Sequence, residues 1–298
     1  MIKCYPPFYQ TGNFLDYNYN TTSLLTLNKN TDSIIATLYL APQKNIMNAQ
    51  YYGVDYDPKQ INLSKINLCK KATNGCAVSC VYHQGILKNS DFHKNKIKQA
   101  RLKRTFKFLL QRDEFFAQLV KELNALYRKT LKEGLQLSVQ LNGTSDILWE
   151  KESFSFKEVK YNNIMDYFKE IQFFDYTKYD ILKNRKNVPS NYHLTYSRAG
   201  LQKGVLVDDW DYLKSLLEAQ IDVAVIFNKE MKEYVLNHST YLDYKIIDAD
   251  SNGCRSLDVF HRENNKGVIL AHEVAKKTDI NGSGFIIQTH EELKKFLS

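Results

Sequence analysis

An α/β fold of parallel strands, wound into a partial or complete (β/α) barrel with a cysteine loop after the first strand, is what this chain's order of residues predicts. Three observations lead there. The first apolar run, Ser33-Ile34-Ile35-Ala36-Thr37-Leu38-Tyr39-Leu40, is β-branched and nearly continuous, the pattern of a strand buried on both faces. From Leu135 onward, short apolar runs alternate with helical patterns, as βαβ units do. Between these two regions lie a loop with three of the five cysteines and a long helical stretch.

The totals agree with a sizeable core. Of 298 residues 43% are hydrophobic, enough to bury a large interior, and the 25% charged fraction is ordinary for a soluble protein. No apolar run approaches the roughly 20 residues that a membrane-spanning helix needs. Met1-Ile2-Lys3-Cys4-Tyr5-Pro6-Pro7 lacks the charged-then-apolar build of a signal peptide, so a cytoplasmic protein without membrane contact is expected. Five cysteines, an odd number, argue for reduced thiols or metal ligands over a disulfide framework. The net charge of +8 fits a nucleic-acid or anionic partner, although many basic proteins bind neither. Abundant Tyr and Phe alongside Asn, Lys and Ile read more simply as the bias of an AT-rich genome than as an aromatic binding platform.

Taken in order, residues 1–33 are polar, punctuated by Pro6-Pro7 and Gly12, and read as an N-terminal arm or short hairpin against the body, residues 34–298, which forms one domain. The first strand stops at Pro42. Residues 43–66 are a long polar connection, a length usually functional or disordered. From Ser90 to Glu133 the period is helical, with Ile97, Leu102, Phe106, Leu109 and Leu110, then Phe116, Leu119, Val120, Leu123, Leu126, Tyr127 and Leu131. One broken helix or two would fit, ended by Gly134. Strands are expected over Leu135–Leu141, Ile171–Phe174, Tyr192–Tyr196, Asp222–Phe227, Tyr244–Ile247 and Gly267–Ala271. Helices are expected over Asn163–Lys169, Trp210–Ala219 and Lys229–Leu236.

The chemistry-bearing residues begin with Cys69, Cys76 and Cys80, spaced C-x6-C-x3-C so that three thiolates can converge from one loop. Such a set suits an iron–sulfur cluster with one open site, or zinc completed by a fourth ligand such as His83 or Cys254. Three buried, unligated thiols are the blander alternative, which the clustering disfavours. Gly75 is read as permitting a tight turn before Cys76. Cys4 looks incidental.

Polar residues then collect where apolar strands end, the place where parallel α/β folds put functional groups. Asn142, Ser145 and Asp146 follow one strand, Asp175 and Lys178 another, Ser197 and Arg198 a third, and Asp248 and Asp250 a fourth. Asp146 could equally close an Asx-type turn. Together they read as the mouth of one pocket, with Asp146, Lys178 and Asp175 in catalytic positions and Asn142, Ser145, Ser197 and Arg198 binding cofactor. The basic stretch Lys88–Arg112 offers a phosphate-binding stripe, or simply the solvated face of a helix.

Four ordered motifs carry a resemblance: Asn67-Leu68-Cys69-x6-Cys76-x3-Cys80, then Gln140-Leu141-Asn142-Gly143-Thr144-Ser145-Asp146-Ile147-x-Trp149-Glu150, Phe174-Asp175-Tyr176-Thr177-Lys178, and Asn191-Tyr192-His193-Leu194-Thr195-Tyr196-Ser197-Arg198. Together they resemble the bacteriophage gene-product-88 family of uncharacterised proteins over roughly residues 34–285. The wider order of first strand, three-cysteine loop, long helix and successive strands also resembles radical S-adenosylmethionine enzymes. That likeness implies a [4Fe–4S] cluster on Cys69, Cys76 and Cys80 with one iron open to S-adenosylmethionine, and the leading expectation is an enzyme of this kind acting on a nucleotide or nucleic acid. The spacing departs from that superfamily's usual C-x3-C-x2-C, and no Gly-Gly-Glu strand is evident. The competing expectation is a replication-associated, nucleic-acid-binding phage protein with a structural metal.

Overall fold

The computed structural model describes residues 23–29, 32–57, 59–80, 91–238, 243–251, 255–274 and 283–297. Its strands are β1 (Leu25–Lys29), β2 (Ser33–Leu38), β3 (Gln136–Gln140), β4 (Phe154–Phe156), β5 (Val159–Tyr161), β6 (Gln172–Thr177), β7 (Tyr192–Ser197), β8 (Leu201–Gln202), β9 (Val205–Leu206), β10 (Val223–Phe227), β11 (Ile246–Asp248), β12 (Ile269–Glu273) and β13 (Ile286–Ile287). Nine of them form one sheet in the order β1-β2-β3-β6-β7-β10-β12-β11, with β13 joined to β10. Only the β1–β2 pair is antiparallel; every other pair in this sheet is parallel. The β/α alternation seen in the sequence is therefore real. No pair among the described residues joins β1 to β11, so the complete barrel is absent from that pairing.

The described end of the N-terminal arm is a strand, β1, paired antiparallel with β2, so the strand expected to be first, at Ser33–Leu38, is the second. The long connection contains α1 (Gln43–Ile46) and two short 3-10 turns, and buries Ile46, Ala49, Val54, Ile61 and Leu63 in the main core. The cysteine loop holds α2 (Asn74–Val78). The helical stretch is two helices, α3 (Asp91–Leu110) and α4 (Arg112–Glu133). They part at Gln111, whose φ of −128° and ψ of 58° are not helical. Gly134, at φ 65°, ends α4 in the left-handed region that glycine adopts without strain. Leu131, expected on the apolar face, is exposed. The remaining helices are α5 (Ile164–Tyr167), α6 (Ile181–Asn184), α7 (Trp210–Glu218), α8 (Lys229–Asn237) and α9 (His290–Leu297).

Two hairpins escape sequence reading. The β4–β5 turn places Lys157 at φ 49° and Glu158 at φ 66°, so it lacks the Asn-Gly or Asp-Gly signature that normally marks such turns. The β8–β9 turn uses Lys203 and Gly204, both at positive φ.

The two sheet faces differ. On one, α3 and α4 cover Ile34, Ala36, Leu38, Leu137, Val139 and Phe173, while α7, α8 and α9 cover Val223, Val225, Phe227, Ile246 and Ile269. The opposite face has only small apolar clusters, Ile35 with Phe174 and Ala224 with Ala249, Val268 and Leu270. Between them it carries Ser138, Gln140, Tyr176, His193, Thr195, Ser197 and His272. A 3-10 turn, Arg255–His261, packs on this side against β6 and β7.

One irregularity positions the site. β7 pairs with β10 only at Tyr196↔Val223 and Ser197↔Ala224, whereas β13 takes the later residues, Ile226↔Ile286 and Phe227↔Ile287. β12 occupies the whole other edge of β10, so β13 is wedged between the carboxyl ends of β7 and β10.

Candidate functional site

At the carboxyl edge of the sheet, three of the four predicted polar strand ends meet and the cysteine loop lies over them. Its anchor is Thr73, 2% exposed, whose hydroxyl donates to the Ala199 carbonyl (2.6 Å) just past β7 and accepts from the Cys76 amide at the start of α2 (3.4 Å). Asn67 Oδ1 accepts from the Cys69 amide (2.8 Å), a local Asx-type turn. The Asp146 amide donates to the Leu68 carbonyl (2.7 Å), and the Cys69 thiol donates to the Thr144 carbonyl (3.5 Å).

Gly75 corrects one expectation. It lies inside α2 rather than in a left-handed turn, and its requirement is space: an added Cβ would stand 2.4 Å from Phe285 Cβ and 2.9 Å from Ser283 Oγ. The segment leading into β13 therefore presses directly on the cysteine loop.

None of the three cysteines is in a disulfide, and all are half-buried. Burial pushes the Cys69 thiol well above its ordinary pKa, and Cys80, Asp146 and Cys76 raise it further while Lys178 opposes them. The three sulfurs thus share one electrostatic neighbourhood. Among the described residues no three His, Cys, Asp or Glu side chains form a group that could hold a metal ion in this arrangement. The donor set still suits a soft cation. A thiol buried beside other thiols and a carboxylate holds its proton unless a cation displaces it. The other cysteines, Cys4 and Cys254, and His83 lie outside the described residues.

The strand ends beneath the loop are cross-linked. Asn142 Oδ1 accepts from Ser145 Oγ (2.8 Å), the Ile147 amide (2.9 Å) and Trp149 Nε1 (3.1 Å). Its Nδ2 donates to the Ile147 carbonyl (2.9 Å) and to Asp175 Oδ2 (3.3 Å). Asp175, fully buried, also receives the Asn142 amide (2.6 Å) and the Tyr192 hydroxyl (2.6 Å), and burial pushes its carboxyl up to about 8. Asp146 receives Thr177 Oγ1 (2.8 Å) and the Lys178 amide (3.0 Å), and burial outweighs these bonds to raise its pKa. Lys178 Nζ donates to the carbonyls of Ser197 (3.0 Å) and Arg198 (2.9 Å) and to Ser197 Oγ (2.9 Å), and stands 4.8 Å from the Phe285 ring centre. Arg198 is 5% exposed, donates to the Gly284 carbonyl and lies over the Phe296 ring.

Every strand-end residue predicted at this edge is therefore present, and most have their polar capacity spent on holding the edge together. The Asx-turn alternative for Asp146 is realised in a larger form, as a clasp between two strand ends. Asp248 and Asp250 are the exception. They sit on and just after the edge strand β11, both bound to Lys232 Nζ at 2.6 and 2.7 Å, and belong to a separate cluster.

Sequence reading missed the partners that stabilise this edge. Arg185, the residue that ends α6, pairs with Glu150 (Nε–Oε1 2.6 Å) with both side chains buried, and donates to Thr177 Oγ1 (3.2 Å). Asp208, 1% exposed, accepts from the Ala199 and Gly200 amides and from the Tyr196 hydroxyl, fixing the turn on which Thr73 docks. No short-range motif marks either residue.

The basic stripe is largely engaged in packing. Lys98 meets Tyr52 (Nζ to hydroxyl 3.0 Å), Arg101 is buried beside the Tyr39 ring, Arg104 Nε donates to the Ser23 carbonyl (2.8 Å), and Lys107 is buried with its Nζ on Gln118. Arg112 is paired with Glu152. No described helix is long and apolar enough to cross a membrane.

No curated protein and no solved structure matches the chain. The family model described as Gene product 88 matches residues 24–289, from β1 through β13 to the start of the last helix. The match spans the cysteine loop and all four motifs, so the chain belongs to the Gene product 88 family.

Proposed function

We propose that Cys69, Cys76 and Cys80 hold a metal centre, an iron–sulfur cluster in preference to zinc, and that the protein is a radical-SAM-like enzyme acting on a nucleotide or nucleic acid. The observation that carries this reading is the docking of three half-buried thiols, within electrostatic reach of one another, over the carboxyl edge of a parallel sheet whose helices lie on one face. A one-sided parallel sheet is also the form a partial (β/α) barrel would take.

A [4Fe–4S] cluster with one open iron would supply reductive cleavage of S-adenosylmethionine. The chain's own residues have other tasks. Thr73 and Gly75 hold the cysteine loop against Ala199 and Phe285. Lys178 places a cation near the Cys69 sulfur, where it lowers the cost of a thiolate, and Asp146 fixes the Lys178 backbone. The network through Asn142, Asp175 and Arg185 excludes water beneath the loop.

Purification without oxygen followed by iron, sulfide and zinc analysis tests the reading. Stoichiometric iron and sulfide with a broad brown absorbance, lost in Cys76→Ser, is the expected result. Reductive formation of 5′-deoxyadenosine from S-adenosylmethionine would extend it to the enzyme. Stoichiometric zinc in a colourless protein would overturn the iron–sulfur assignment, and absence of any bound metal would overturn the site.

A further inference from the structure

A second cluster lies on the helix-free face of the sheet and makes no use of the cysteines. His272, on β12, has Nδ1 at 2.9 Å from Asp250 Oδ1 and Nε2 at 3.1 Å from the Tyr176 hydroxyl on β6. Asp250 is itself held by Lys232 Nζ (2.7 Å) and the Glu273 amide (2.8 Å) through its other oxygen. Burial alone would raise its pKa, but the bonds from His272 and Lys232 hold the carboxyl well below the usual range, so it stays ionised. An ionised Asp250 accepts from Nδ1–H, which leaves Nε2 as the acceptor for the phenol.

The surroundings are those of a binding site. Tyr176, His272, Ser197 and Gln140 are half-buried at the carboxyl end of this face, while Ser138, Phe174 and Thr195, one step earlier on their strands, are buried. Solvent therefore reaches a rim and stops at a floor. Thr195, paired in register with Tyr176 and 0% exposed, has a hydroxyl with no hydrogen-bond partner. Arg255, 1% exposed, interacts with Tyr176, gives one hydrogen bond to the Ala249 carbonyl (3.2 Å) and turns its Nε to Asp258 Oδ2 at 3.5 Å, while its Nη1 has no hydrogen-bond partner. Buried polar atoms left unpaired are costly, and a bound polar ligand removes that cost.

We propose that Tyr176, His272 and Asp250 form a proton-transfer site for a small oxyanion-bearing substrate, whose carboxylate or phosphate group pairs with Arg255 and Thr195. An acidic proton of the substrate passes to the Tyr176 oxygen as the phenolic proton passes to His272 Nε2. The substrate keeps the electron pair as its conjugate base, and the imidazolium formed is paired with Asp250. Tyr176 is the catalytic residue; His272 and Asp250 act through it.

Phenylmethylsulfonyl fluoride tests the arrangement on the full chain. In that reaction the Tyr176 oxygen bonds to sulfur, fluoride leaves, and the phenolic proton goes to His272. Mass spectrometry should find Tyr176 modified at least tenfold faster than Tyr51, which is 79% exposed but stands outside the cluster. Inorganic phosphate should slow that modification, and His272→Gln should slow it tenfold or more. ¹⁵N NMR should show the Nδ1–H tautomer of His272 and its loss in Asp250→Asn with the circular dichroism unchanged. Modification of Tyr176 no faster than Tyr51, no protection by phosphate, or a rate unchanged in a folded His272→Gln variant would each overturn the proposal. The first two comparisons use the unaltered chain and do not depend on a variant folding.

Discussion

The Tyr176 hydroxyl and His272 Nε2 meet at 3.1 Å although β6 and β12 are separated in the sheet by β7 and β10. Three strand spacings amount to about 14 Å on a flat sheet, with side chains standing roughly perpendicular to it. Contact between the two is possible only if this face is concave. The curvature gathers groups from distant strands over one hollow, and it leaves the convex face to α3, α4, α7, α8 and α9.

Gly75→Ala should destabilise the protein by about 1–3 kcal/mol, because the new methyl would overlap Phe285 Cβ, which is tied to the backbone and cannot swing aside. Urea unfolding measures it. A variant as stable as the parent would mean that the cysteine loop does not rest on the β13 segment.

Thr73→Val keeps the shape of the side chain but removes both of its hydrogen bonds, to the Ala199 carbonyl and from the Cys76 amide. A loss of roughly 1–2 kcal/mol is expected. Amide exchange should speed up in residues 69–79 more than in β3 or β6. Uniform acceleration throughout would count against a local anchor.

Arg185→Ala should be among the most damaging substitutions, costing about 3–5 kcal/mol, since it strands a buried Glu150 carboxylate. Replacing both partners, Glu150→Leu with Arg185→Met, should recover much of the loss. Thermal unfolding of the single and double variants makes the comparison, and an additive double variant would show the pair to be uncoupled.

Asp175 gives the fold a pH signature. Its folded-state pKa of about 8, raised by burial, lies above the unfolded value of about 4. The stability it contributes is fully present below the unfolded value and is lost as pH rises through 8, because only the unfolded chain ionises in between. Burial also raises Asp258, to about 6, and Asp146 and Asp208, all with the same sign, so the fall between pH 6 and 8 is a sum from which the Asp175 share is read by substitution. Asp175→Asn, which mimics the protonated acid, should flatten the fall in denaturation midpoint over that interval. An unchanged slope would show that Asp175 is ionised in the folded protein.

Much of the architecture was legible because it depends on local pattern. The continuous β-branched apolar run at Ile34–Leu40 has the pattern of a buried strand, and the helical period from Ile97 to Leu126 marks helices with an apolar face to bury. The polar residues after β3, β6 and β7 were found for the same reason, since a parallel strand delivers its last residues to one edge. What they do there was not legible. Asn142 and Asp146 look like ligands in a row of letters, yet each spends its hydrogen bonds on neighbouring strands. Arg185 and Glu150 were missed because their pairing spans 35 residues and leaves no spacing to recognise.

By itself the sequence determined the α/β class, the family, and the loop that carries Cys69, Cys76 and Cys80. Those properties follow from residue type and short-range period. Only the tertiary structure decided that β13 is wedged between β7 and β10, that Gly75 is required by Phe285, and that Tyr176 reaches His272. Each depends on the curvature and order of the sheet, which bring together residues 60 to 210 positions apart. No local pattern encodes such a distance; the packing of the whole chain does.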